Sequence, residues 1–133
     1  MKKYYVYRFL DKHKNIIYVG YTSQLLSTRM EQHFTKGHLP AECYNSVAEI
    51  QYKAFTNNCN AMMLEIYYIN LYKPRYNKKS LCDQEPTYLA GMEDDNKWHT
   101  YKKFMSFEDP PTTEYAYWFV GLLGAGILLA IFL

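Results

Sequence analysis

A chain of 133 residues holds one ordinary domain with an appendage and leaves no room for a second independent core. Its formal charge of +2 hides a division: 12 basic against 5 acidic residues up to Ser80, then 3 against 8 from Leu81 to Glu114, so a phosphate-binding surface belongs to the first part. Cys43, Cys59 and Cys82 are odd in number, far apart and without CxxC spacing, which speaks against a disulfide framework or a zinc site and fits a reduced, cytosolic setting.

The opening MKKYYVYRFLD has a basic tip, but its apolar run stops at Arg8 and Asp11, too short for the apolar core of a signal peptide. Residues 4–9, YYVYRF, set Tyr5, Tyr7 and Phe9 against Tyr4, Val6 and Arg8, the alternation of a half-buried strand. DKHKN is a polar loop and residues 16–21 form a second strand, so the two make a hairpin. Ser23 serves as a cap for a helix over residues 24–34, with Leu25, Leu26 and Met30 as its apolar stripe and Gly37 as its stop. Residues 46–55, SVAEIQYKAF, alternate again as a third strand. An Asn of TNNCN caps a strongly apolar helix over residues 61–72, which must end before Pro74. The order is ββαβα, an α/β domain of the α+β kind: a small, mainly antiparallel three-stranded sheet flanked by helices.

Residues 80–114 are acidic and lack a sustained period, and read as a tether with one short helix around 97–105. From Tyr115 to Leu133 there is no charge, and this run at ~1.5 Å per residue reaches roughly 28 Å, close to the hydrocarbon thickness of a bilayer. The alternative is a buried helix of a soluble protein. Uniform apolarity favours a transmembrane tail, with Tyr115, Tyr117 and Trp118 as interfacial aromatics and the preceding domain on the cytoplasmic side. Gly121 with Ala125, and Gly126 with Ala130, offer small faces for self-association of the tail.

Four features can carry chemistry. Arg29 and His33 are four apart and share a helix face, which is also the pattern of a solvated polar face. Glu65 is the only charge between Ala61 and Tyr72, and a carboxylate there is costly to desolvate unless paired, hydrogen-bonded or metal-bound; an exposed face is the other reading. Tyr7 and Tyr18 fit an aromatic cross-strand pair as well as a site. Asn77 by itself is a loop residue.

Taken in order, YVY at 5–7, YVG at 18–20, RMEQH at 29–33, LEIYYI at 64–69 and KPRYN at 73–77 resemble the catalytic domain of the GIY-YIG nuclease family over about residues 1–79. The first motif departs from the family pattern by having Tyr5 in place of glycine, as in small standalone members.

The resemblance implies a metal-dependent DNA endonuclease. Tyr7 and Tyr18 point from adjacent strands into one cleft, where a phenol of reference pKa near ~10 must be lowered by a cation, Arg29 or His33, while Gly20 keeps the backbone close to DNA. Glu65 is the single protein ligand of a Mg²⁺ or Mn²⁺ ion, which is normal for a hard cation that also takes waters and phosphate oxygens. Arg29 holds the scissile phosphate, His33 bonds the phosphate or takes a tyrosine proton, and Asn77 fixes neighbouring groups by hydrogen bonds. Lys36, Lys73, Arg75 and Lys78, with Lys2, Lys3, Arg8, Lys12, Lys14 and Lys79, supply positive charge for DNA phosphates. No zinc-finger or helix-turn-helix signature follows the nuclease-like part, so structure-directed or weakly specific cutting is expected.

Overall fold

The computed structural model describes residues 1–78 and 97–104. Its elements are β1 (Tyr4–Leu10), β2 (Ile16–Thr22), α1 (Leu26–Lys36), α2 (Ala41–Ser46), β3 (Glu49–Phe55), α3 (Asn58–Tyr72) and β4 (His99–Lys103). The strands form one antiparallel sheet in the order β2-β1-β3-β4.

Strand β1 is central, and its alternation serves two cores. Tyr7 and Phe9 join Tyr18, Ile50, Leu26, Met30 and Cys43 on the face covered by α1 and α2. Val6 joins Val19, Phe55, Ala61, Leu64, Tyr68 and Ile69 on the face covered by α3. The strand expected to be half-buried is therefore packed on both sides, which is why it is aromatic and aliphatic in both registers.

Three expectations need correction. The sheet has four strands, because the segment read as a short helix around 97–105 is β4, paired with β3 through Glu49 and Lys103 and extended by the bond from the Phe104 N–H to the Ala48 carbonyl at 2.7 Å. An open edge on β3 offers a row of unpaired backbone groups, and that demand outweighs any weak helical preference of HTYKK. The second correction is α2, six residues after Pro40, too short for a period to register.

The third concerns the start of α1. It begins at Leu26, with Leu25 as the cap residue and no side-chain cap bond. Ser23 does not cap it; the Thr22 hydroxyl accepts the Gln24 N–H at 3.0 Å and turns the chain before the helix. The cap on α3 is as expected: the Asn57 side chain accepts from the Asn60 N–H, and the helix ends in left-handed Lys73, at φ 46°, directly before Pro74.

The transmembrane helix expected over residues 115–133 lies outside the described residues, as does the tether apart from 97–104. Among the described residues no helix is long and apolar enough to cross a membrane.

Candidate active site

The antiparallel ladder puts Tyr7 of β1 opposite Gly20 of β2. The Tyr7 ring lies across that glycine: a β-carbon at Gly20 would stand 2.5 Å from the phenol oxygen and 2.7 Å from Cε2. The missing side chain of Gly20 is thus used first by Tyr7. Tyr18, two residues earlier on the same face, brings its ring to 6.2 Å from that of Tyr7.

Helix α1 delivers both of its candidates to the same phenol. The Tyr7 hydroxyl lies 2.6 Å from His33 Nε2 and accepts a bond from Arg29 Nε at 3.2 Å. The spacing of four residues is what allows this, since it stacks the two side chains on one helix face. His33 is 2% exposed, so the solvated reading of the pair fails. Its other nitrogen, Nδ1, lies 2.9 Å from the Tyr44 hydroxyl, a residue of α2 that sequence reasoning missed because α2 itself was missed.

The electrostatics reverse one expectation. Both phenols are raised: burial is the largest cause for each, and it outweighs the Arg29 charge, which works the other way. Tyr18 is pushed up to about 12 and Tyr7 further. Arg29 alone therefore does not make a phenolate, and additional positive charge or a proton acceptor is required. His33 supplies the acceptor, since burial, then Arg29 and His38, hold it down at about 4 and keep the imidazole neutral.

Glu65 comes from α3, across the sheet, and its negative charge raises both Tyr7 and Tyr18. It makes no hydrogen bond or ion pair among the described residues, and burial lifts its carboxyl to about 7. Among the described residues no group of three or more His, Cys, Asp or Glu converges on a metal position. A half-buried carboxylate with no countercharge among the described residues nevertheless fits a hard cation that takes its remaining ligands from water and phosphate. Positive charge there would relieve Glu65 and lower both phenols together.

Asn77 is placed away from this cluster but acts on it. Its amide accepts from the Val19 N–H and donates to the Val19 carbonyl, both at 2.9 Å, and the neighbouring Tyr76 N–H bonds the Ile17 carbonyl at 3.0 Å. These bonds close the open edge of β2 on either side of Tyr18 and fix the backbone that carries it.

The basic residues divide. Lys73 and Arg75 line a groove of about 480 Å³ with Lys14, Asp11 and Tyr72. Arg75 also pairs with Glu42 at 2.8 Å, an exposed contact of little energetic weight. Lys36 and Lys78 are exposed and Lys79 lies outside the described residues. Arg8 is not part of the cleft; it lies over the Trp98 ring at 4.1 Å on the α3 face.

Comparison with known proteins agrees with this geometry. The profile of the GIY-YIG catalytic domain matches residues 3–79. UvrABC system protein C of Streptomyces coelicolor is 34% identical over 89 residues, 64% of this chain and 12% of that protein. The proteins of the same name from Bacteroides fragilis, 35% identical over 54% of the chain, and Francisella philomiragia, 34% over 67%, are similar; the chain spans only 12 and 15% of their lengths. With the motif tyrosines and the arginine–histidine pair gathered as described, the chain belongs to the GIY-YIG family of phosphodiester-cleaving endonucleases.

Proposed function

We propose that the chain is a metal-dependent endonuclease that hydrolyses phosphodiester bonds of DNA and is held at a membrane by its C-terminus. The observation that carries the catalytic reading is the Tyr7 hydroxyl, bonded at once to Arg29 and to neutral His33, beside Tyr18 and within the field of Glu65, which has no partner among the described residues.

Tyr7 has no exposed surface, whereas Tyr18 keeps 8%, so Tyr18 is the phenol that meets the attacking water. With positive charge at Glu65 lowering both phenols, its proton moves to the Tyr7 oxygen and the Tyr7 proton to His33 Nε2 in step with attack by the water, so that no free phenolate and imidazolium accumulate beforehand. The Tyr18 oxygen takes a proton from water as the water oxygen bonds phosphorus and the bond to the 3′ oxygen breaks; the departing 3′ oxygen takes a proton from solvent, and the relay runs back to discharge His33. Arg29 keeps its guanidinium beside the phosphate, and its N–H groups beyond Nε and the Gln32 bond are available to phosphate oxygens. Mg²⁺ or Mn²⁺ on Glu65 would supply charge stabilisation at the scissile phosphate. Lys36, Lys73, Arg75 and Lys78 would bind the DNA backbone irrespective of sequence. The apolar run 115–133 supports a single-pass tail with the nuclease domain on the cytoplasmic side, and its small-residue faces support self-association.

The test is cleavage by the full chain in detergent of plasmid, branched and single-stranded DNA, with Mg²⁺ or Mn²⁺ and with chelator. Cutting that requires the cation is expected. Binding to all three without cutting in either cation would make the domain a nucleic-acid-binding module or a membrane adaptor instead.

A further inference from the structure

His33 is held from both sides of its ring, by Tyr7 at Nε2 and by Tyr44 at Nδ1. Each phenol oxygen also accepts from a group that can only donate: Tyr7 from Arg29 Nε–H, and Tyr44 from the Leu39 N–H at 3.4 Å. Space for Tyr44 comes from Gly37, where a β-carbon would overlap the Tyr44 hydroxyl and the His33 carbonyl oxygen. The φ of Gly37 is −64°, open to any residue, so room and not backbone freedom is what this glycine provides. The Tyr44 ring is seated on Phe34 at 5.2 Å and Phe9 at 6.5 Å.

A neutral imidazole has one N–H, so it donates to one of these phenols and accepts from the other. Burial decides which. The Tyr7 hydroxyl is fully buried, and Nε2 at 2.6 Å is the acceptor within reach of its proton that bears no proton of its own in this tautomer, whereas Tyr44 is only half-buried and its own proton can reach solvent.

We propose that Tyr44, which none of the motifs includes, is a positioning residue of the site: it accepts the Nδ1–H of His33 and thereby presents an unprotonated Nε2 to the Tyr7 hydroxyl. Tyr44 touches no substrate and acts through His33. When the Tyr7 O–H bond breaks and Nε2–H forms, the ring carries N–H on both sides, and the Tyr44 oxygen stabilises the cation. The catalytic consequence rests on the endonuclease reading; the ring tautomer does not.

Long-range ¹H–¹⁵N correlation spectra of the full chain in detergent at neutral pH, with His33 identified by comparison with His33→Gln, read the tautomer directly. The Nδ1–H form is expected in the wild type and a shift toward Nε2–H in Tyr44→Phe, which keeps the ring on Phe34 and Phe9. The same variant is expected to lose roughly tenfold in kcat with KM for DNA unchanged. An Nε2–H tautomer in the wild type overturns the role, as does a Tyr44→Phe protein with unaltered tautomer and kcat. If the chain does not cut DNA, the nitrogen spectrum still decides the assignment, so failure of the nuclease reading and of this one are told apart.

Discussion

Tyr7 and Gly20 stand opposite each other on β1 and β2, and the phenol of one occupies the place where the other would carry a side chain. Tyr7 cannot move aside, because its oxygen is bonded to His33 and Arg29 and its ring is fully buried. Gly20→Ala should therefore cost about 1–3 kcal/mol of stability by overpacking. It should also cut DNA cleavage by about 100-fold or more through loss of the Tyr7 position. Denaturant unfolding and single-turnover cleavage measure the two effects; a variant that is stable and active would show that the ring can be displaced without consequence.

His33 and Glu65 give stability opposite pH slopes. His33 is lowered from 6.5 to about 4, so its contribution is fully present above 6.5 and is lost as pH falls through about 4. Glu65 is raised from 4.5 to about 7, so its contribution is present below 4.5 and is lost as pH rises through about 7. Melting temperatures across this range should show Glu65→Gln gaining on the wild type as pH rises. At pH above about 7, Mg²⁺ should stabilise the wild type and leave Glu65→Gln unchanged, because a ligand stabilises only the state that binds it. Parallel pH profiles for the two proteins would contradict the rise of the Glu65 carboxyl by burial.

The folded unit extends past the matched residues 3–79. Trp98, just before β4, lies under Arg8 at 4.1 Å and Lys53 at 5.0 Å and packs on Tyr68 at 5.1 Å, while Phe104, just after it, packs on Phe34 at 5.6 Å. The strand is thereby pinned to both faces of the sheet. Trp98→Ala should lose about 1–3 kcal/mol, combining ring burial with two cation–π contacts. Ending the chain at residue 79 should lose more, since β3 then has a bare edge. Equal unfolding midpoints for the shortened and full chains would remove β4 from the domain.

What could be read in the sequence follows from which residues act locally. The hairpin, the apolar α3 with its Asn cap, and the four-residue step from Arg29 to His33 each repeat a local rule, and the structure keeps them. The gathering of Arg29, His33 and Tyr18 around the Tyr7 phenol is not local. Arg29, His33 and Glu65 stand out in the sequence by spacing or isolation, but only the ordered motifs join them with the tyrosines into one site. Tyr44 and β4 were missed for the same reason: α2 is one short turn and a half, and HTYKK becomes a strand because a distant edge at Glu49 to Tyr52 receives it. Asn77, unremarkable in KPRYN, acquires its role by reaching Val19, 58 positions earlier in the chain. The rise of both phenols was also out of reach, because burial depends on the whole fold.

The account depends most on Glu65 acting together with the two phenols. Single-turnover plasmid cleavage by the full chain over a range of Mn²⁺ concentrations, comparing wild type with Glu65→Gln, tests it directly. The wild type should cut in a cation-dependent manner, and the variant should be slower by about 100-fold or more at every concentration while still binding DNA. Cleavage by Glu65→Gln at the wild-type rate would contradict the account.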